Sequence, residues 1–134
     1  MSDHGSVFFQ IGDGAIVLKR NGALGVVFWP QSGEYVNTTN FLTSAEFREQ
    51  LQVFTSTDGF SDLALLTDGV ERLALRFDTM TPYPPFFQPL FQALRAASNV
   101  EGLGAELRDF LQSDAVRNKN DDDKTLVLAT RATH

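Results

Sequence analysis

The chain has 134 residues, the size of one domain, and its 43% hydrophobic and 21% charged residues predict an apolar core rather than disorder. It has no cysteine, which excludes disulfide scaffolds and thiolate-held metals, and its net charge of −6 argues against a nucleic-acid partner. No apolar run approaches the ~20 residues of a membrane span, so we expect no membrane partner and a cytoplasmic location.

The ends of the chain are expected to carry no chemistry. We interpret residues 1–5 as a disordered leader or tag remnant and residues 131–134 as a tail, with one folded domain over 6–130. The two histidines, His4 and His134, lie in these end segments. A catalytic site centred on histidine is therefore not expected.

The first third of the chain predicts antiparallel strands. Apolar runs at 7–11, 15–18 and 24–29 are separated by a glycine-rich turn and by Asn21-Gly22, a pair typical of a tight hairpin. We interpret them as a three-stranded meander. The runs are nearly continuous rather than alternating, which favours strands that are covered on both faces.

The centre of the chain predicts a short helix and two more strands. Residues 35–42 read as a loop with one short strand, and a capping box at 43–46 begins a helix that ends near residue 50. Strands follow at 52–55 and 63–66. The second of these runs directly into a turn, Thr67-Asp68-Gly69.

The last part of the chain is mostly helical. Apolar residues at helical spacing predict helices over 86–97, with Pro89 in the first turn, and from a capping box at 98–101 to about residue 113. A polar loop at 117–123 precedes a last strand at 125–129. The predicted class is α+β, an antiparallel β-sandwich or sheet covered by helices, in which the visible helices cover one side only.

Acidic residues lie beside three of the predicted strand ends: Asp13 between two glycines, Asp68 before Gly69, and the run 121–123. Each taken singly is ordinary turn chemistry. Taken together, carboxylates at the ends of adjacent strands meet at one sheet edge, and they are the ligands that Mg²⁺ and Mn²⁺ prefer. Two such ions about 3.5–4 Å apart can activate water and hold a phosphoryl group. The residues alone leave both interpretations open.

Three of these segments resemble motifs of one enzyme family. Residues 65–70 resemble the strand–Ser/Thr-Asp-Gly-aliphatic motif of the PP2C (PPM) metal-dependent protein phosphatases, and 122–125 is similar to their Asp-Asn-x-Thr motif. Residues 11–15 resemble their Val-Gly-Asp-Ser-Arg turn, and 28–35 resembles a bacterial subgroup. The resemblance covers the C-terminal half of the family domain, here 6–130, because the family's earlier Asp-Gly-x-Gly turn has no counterpart.

The resemblance implies an incomplete PP2C-like αββα architecture and a dinuclear Mg²⁺ or Mn²⁺ site for hydrolysis of phosphoric monoesters. On this basis Asp68 and Asp122 are ligands of one metal, and no catalytic residue is implied beyond the metal ligands. The supporting residues implied by the same motifs are Gly69, for close backbone approach, Thr125, whose hydroxyl is expected to pin the loop, Asp123 and Asp13. Arg72 stands where many family members have an Asp linked to an additional metal, so the resemblance implies no additional metal here and leaves the two-ligand half-site intact.

Two functions follow as hypotheses. In the first, the chain is the C-terminal portion of a Ser/Thr protein phosphatase acting on phosphoproteins, and is inactive alone because two carboxylates cannot fix two cations. In the second, it is a non-catalytic module that pairs with an N-terminal half or forms a homodimer through an uncovered sheet face. A calcium-binding loop at 118–123 is disfavoured, since the EF-hand spacing is absent.

Overall fold

The computed structural model describes residues 4–30, 43, 45 and 47–132. The described residues form, in chain order, β1 Ser6–Gln10, β2 Ala15–Arg20, β3 Ala23–Phe28, α1 Phe47–Gln50, β4 Gln52–Ser56, β5 Asp62–Leu66, α2 Asp68–Ala74, β6 Leu75–Arg76, β7 Thr81–Pro82, α3 Pro84–Ala96, α4 Val100–Leu111, α5 Asp114–Arg117 and β8 Leu126–Thr130. The predicted loop at 35–42, and parts of the capping box at 43–46 and of both chain ends, lie outside the described residues.

A four-stranded antiparallel sheet of order β3-β2-β5-β8 forms the centre of the molecule. The β2–β3 hairpin turns at Asn21 and Gly22, whose φ angles of 49° and 81° are those that a tight hairpin turn requires. The predicted hairpin is therefore confirmed. The predicted strands at 52–55, 63–66 and 125–129 are also confirmed, each to within one residue at either end.

The predicted three-stranded meander is wrong in its first strand. β1 pairs with β4, from Ser6 opposite Ser56 to Gln10 opposite Gln52, in a separate two-stranded sheet. The apolar pattern specifies a strand but not its partner. In the structure β1 crosses to a second layer, where Phe8 packs in one buried cluster with Ile16 and Leu18 of β2.

The position of β2 between two layers explains why its sequence is continuously apolar. Ala15 and Val17 are buried in the core cluster that includes the helices, whereas Ile16 and Leu18 are buried in the cluster under the β1–β4 sheet. Alternate side chains of a strand point to opposite faces, so β2 needs apolar residues at every position. The predicted covering on both faces is confirmed for β2, which has helices on one side and a second sheet on the other. It is wrong for β1, because Val7 and Phe9 on one of its faces are exposed.

The helical layer packs on the central sheet through α2, α3 and α4. Val70 of α2 and Phe87 of α3 are fully buried, and Leu111 of α4 lies in the same cluster. Helix α3 begins two residues earlier than predicted, at Pro84, which places Pro89 inside the helix rather than in its first turn. The N-cap of α4 is Asn99, whose side chain accepts a hydrogen bond from the Gly102 N–H at 3.1 Å.

Three elements were not predicted from the sequence: α2, the β6–β7 hairpin and the short helix α5. Helix α2 begins within the segment that we interpreted as a turn. Its buried residues Val70 and Ala74 are four positions apart and fall on one face, but seven residues are too few to show a clear helical period. Among the described residues, no helix is long and apolar enough to cross a membrane.

Candidate metal centre

The end of β5 and the start of β8 lie side by side, with Leu66 paired to Leu126. Just beyond this pair, the Thr67 N–H donates to the Thr125 carbonyl at 3.1 Å, and the Thr125 N–H donates to the Thr67 hydroxyl at 3.0 Å. The loop is thus pinned through the hydroxyl of Thr67 and the backbone of Thr125, and the expectation that the Thr125 hydroxyl would pin it is wrong. These contacts bring the segments that carry Asp68 and Asp122 to the same edge of the central sheet.

Gly69 lies directly against the acidic loop, which is residues 120–125. A Cβ atom at this position would collide with the backbone oxygen of Asp123. The Asn120 side-chain amide also donates to the Gly69 carbonyl at 3.4 Å. The expected close backbone approach at Gly69 is therefore present, and it joins the first turn of α2 to the loop.

The acidic loop is folded around a lysine that the sequence analysis did not single out. Lys124 Nζ donates to the backbone oxygens of Asn120 at 2.6 Å and Asp122 at 2.7 Å. The Asn120 side chain accepts from the Asp122 N–H at 2.9 Å, which closes a tight turn. Lys124 and Asn120 therefore determine the path of the backbone at Asp122.

Asp68 is the first residue of α2 and is partly buried. Its Oδ1 accepts from the Gly69 N–H at 2.8 Å, and a carboxylate at a helix N-terminus is favoured by the helix dipole. Asp122 and Asp123 are exposed. One side of the site is therefore a carboxylate held on a helix, and the other is a carboxylate on a folded loop.

The turn that contains Asp13 packs against the same edge. A Cβ atom at Gly14 would lie 2.8 Å from the Leu66 backbone oxygen, so this turn touches the last residue of β5. Asp13 itself is exposed, and its charge acts on Glu71 of α2. All three acidic segments found in the sequence therefore lie at one end of the central sheet, which forms the acidic edge of the molecule.

Glu71 is the acidic residue of this edge that sequence reasoning missed as a site residue. Burial, followed by the charges of Asp68 and Asp13, raises its pKa to about 7, and Arg72 opposes the shift. Its buried Oε2 has no hydrogen-bond partner among the described residues. Glu71 follows Asp68 by three positions, which places both on one side of α2, but this relation appears only once α2 is known to be helical.

The chemistry of this edge suits a hard cation only in part. Carboxylate oxygens are the ligands that Mg²⁺ and Mn²⁺ prefer, and a buried, unpaired Glu71 oxygen in a field of negative charge would gain from a nearby cation. In the part of the chain that the structure describes, however, no three acidic or histidine side chains come together as a ligand set. The residues present fit a partial site.

The comparisons with known proteins decide the family. A family model described as Protein phosphatase 2C matches residues 1–112. The chain belongs to this family. Over 130 residues it is 42% identical to Serine/threonine-protein phosphatase 3 of Escherichia coli (strain K12), an alignment that covers 96% of this chain and 51% of the relative. The chain thus spans about half the length of this PP2C relative.

A solved structure agrees with the PP2C fold. The crystal structure of a bacterial serine phosphatase variant superposes with a TM-score of 0.53 at 14% identity, covering 98% of this chain and 50% of that one. At this identity the likeness shows the fold alone. The predicted PP2C resemblance, its bacterial type and the α+β class are confirmed.

Proposed function

We propose that this chain is the C-terminal portion of a PP2C-type Ser/Thr protein phosphatase and supplies Asp68 and Asp122 to a Mg²⁺ or Mn²⁺ site. The observation that supports the proposal is the set of hydrogen bonds between residues 67–69 and the 120–125 loop, because these bonds join the two segments that carry Asp68 and Asp122. PP2C phosphatases are generally metal-dependent, which supports this assignment. Their substrates are phosphoproteins.

In this proposal each residue of the edge has a separate task. Asp68 and Asp122 supply oxygen ligands, Gly69 lets the backbones meet, and Lys124 and Asn120 hold the loop in place. When bound, a pair of Mg²⁺ or Mn²⁺ ions supplies Lewis-acid charge and a water of lowered pKa for phosphoester hydrolysis. Two carboxylates are too few for two cations, so we expect little or no turnover by this chain alone.

A second candidate function is supported by apolar side chains that face solvent. Val7 and Phe9 on β1 and Val53 on β4 are 61%, 66% and 57% exposed. On the central sheet, Leu65 and Val127 are directly paired and are 38% and 50% exposed. We propose that these two exposed apolar surfaces, one on each sheet, pair with the N-terminal half of a phosphatase domain, and a homodimer through them is the alternative. A cytoplasmic location stays a prediction.

Complementation tests the phosphatase proposal. The 134-residue chain is fused to the part of the E. coli relative that it does not match, and Mn²⁺-stimulated hydrolysis of p-nitrophenyl phosphate and of a phosphothreonine peptide is measured. We expect no turnover by the chain alone and turnover by the fusion. Asp68→Ala and Asp122→Ala should abolish it, because each removes a metal ligand.

The matched control is Asp109→Ala, which removes an exposed carboxylate on α4. This variant of the fusion should keep its activity. Full activity of the Asp68→Ala fusion would overturn the ligand assignment, and Mn²⁺-dependent turnover by the unfused chain would overturn the proposed inactivity. Size-exclusion chromatography of the unfused chain separates a monomer from the proposed homodimer.

A further inference from the structure

A cationic cleft lies at the end of the central sheet opposite to the acidic edge. It is formed by the β2–β3 hairpin, the β6–β7 hairpin and α3, and no acidic residue is among its described lining residues. The lining side chains used below are Lys19, Arg76, Arg95, Thr79, Thr81 and Gln88. The buried carboxylate of Asp62 offsets the charge of Arg95, so Lys19 and Arg76 give the cleft its excess positive charge on a chain with a net charge of −6.

The register of the sheet separates the cleft from the proposed metal site. Lys19 is paired with Asp62 at the start of β5, whereas Leu66 at the other end of that strand adjoins the segment of Asp68. The extended backbone from Asp62 to Leu66 spans about 13 Å. The cleft is therefore a second surface, within reach of a peptide that also occupies the acidic edge.

Arg95 is held rigidly in the wall of the cleft. Asp62, which is fully buried, forms an ion pair with Arg95 and also accepts hydrogen bonds from the Thr130 hydroxyl at 2.7 Å and the Ser61 hydroxyl at 3.1 Å. The Arg95 side chain remains 36% exposed. Because its position is already determined, binding an anion costs little further side-chain entropy.

Arg76 is positioned by an aromatic ring rather than by an ion pair. Its guanidinium lies 4.7 Å from the centre of the Tyr83 ring, and stacking on a ring face leaves the N–H groups at the guanidinium edge available for an anion. The hydroxyls of Thr79 and Thr81 lie 2.7 Å apart on the same β6–β7 hairpin. Asp78 accepts from the Thr79 N–H, but it does not line the cleft.

We propose that this cleft docks an acidic segment of the phosphoprotein substrate. The cleft encloses about 930 Å³, far more than one phosphate fills, and its three cations stand on three different elements rather than around one point. Amides such as Gln88 suit a polypeptide backbone. The identity of the partner rests on the proposed phosphatase function, whereas the anion-binding property of the cleft does not.

The test measures binding without turnover. A fluorescein-labelled oligoglutamate peptide is titrated with the full 134-residue chain in the presence of a metal chelator, and fluorescence anisotropy is followed. We expect saturable binding that weakens as salt is raised, and no binding of the oligoglutamine counterpart. Arg76→Glu should weaken binding about tenfold or more, as expected for loss of one charge-assisted contact.

Two controls make the result specific. Arg131→Glu makes the same charge change at an exposed position outside the cleft and should leave the affinity within about twofold of wild type. Lys19→Gln removes a second cleft charge and should weaken binding, and circular dichroism checks that each variant is folded. Equal losses in Arg76→Glu and Arg131→Glu, or no binding by the wild-type chain, would overturn the proposal.

A further arm uses inorganic phosphate as competitor. If phosphate displaces the peptide no better than sodium chloride does at the same ionic strength, the result supports a peptide site. Specific displacement at low concentration would assign the cleft to a small anion and overturn the proposal. Failure of the phosphatase proposal would appear instead as an inactive fusion, with peptide binding unaffected.

Discussion

The two ends of the central sheet contrast in charge and in how their charges are held. At one end, Asp62 is fully buried and its carboxylate is satisfied by Arg95 and two hydroxyls. At the other end, Asp68, Asp13 and Glu71 are close enough to raise the Glu71 pKa, and a Glu71 oxygen is buried without a partner among the described residues. The first arrangement supports the fold, whereas the second has the unbalanced charge typical of a binding site.

Asp62→Ala should have the largest effect on stability. It removes the acceptor of the Arg95 and Thr130 hydrogen bonds and one of the two acceptors of the Ser61 hydroxyl, so we expect a loss of about 3 kcal/mol in the free energy of unfolding. Urea denaturation measures it. The comparison variant is Asp68→Ala, which should cost much less because it relieves repulsion at the acidic edge. Similar losses in both variants would contradict the contrast between the two ends.

Gly69→Ala should have the next largest effect. The new methyl group must displace the backbone at Asp123, and overpacking of this kind costs about 2 kcal/mol. Gly104→Ala is the matched control, since it lies inside α4 with nothing within 4 Å of the added atom. It should stabilise the chain by about 1 kcal/mol. An unchanged free energy of unfolding in Gly69→Ala would show that the acidic loop does not press on α2.

Lys124→Met tests the folding of the acidic loop. The substitution keeps the length of the side chain but removes two hydrogen bonds to the backbone at Asn120 and Asp122, so we expect a loss of about 1 kcal/mol. Calorimetric titration with Mn²⁺ should also show weaker binding. Lys119→Met, on an exposed residue, serves as the control and should change neither quantity. Unchanged Mn²⁺ affinity in Lys124→Met would separate the loop from cation binding.

Glu71→Gln should have little effect at low pH, and its effect is visible as a dependence of stability on pH. The folded-state pKa is raised from 4.5 to about 7, so the unfolded chain releases this proton first and stability falls as pH rises between these values. The variant should therefore gain stability relative to wild type from pH 4.5 to above 7. Denaturation at several pH values measures this difference. Asp68→Asn should reduce the stability difference, because it removes one of the charges that raise the Glu71 pKa. A stability difference that does not change with pH would contradict the prediction.

Local signals in the sequence were enough to predict several strands and helices and the acidic edge. Asn21-Gly22 determined a hairpin because its residues adopt positive φ at low cost, and the apolar runs determined most strands. The motifs around Asp68 and Asp122 indicated which turns meet. These features depend on a few neighbouring residues, so they can be read without the fold.

Tertiary structure alone decided the partner of β1, the helical state of 68–74 and the neighbours of Glu71. A strand pattern records which faces are apolar but not which strand lies beside it, and a seven-residue helix is stabilised by burial of Val70 and Ala74 rather than by its own propensity. The pairing of Asp62 with Arg95 likewise joins residues 33 positions apart. Such contacts depend on how layers pack, and packing energy is not a local property of the chain.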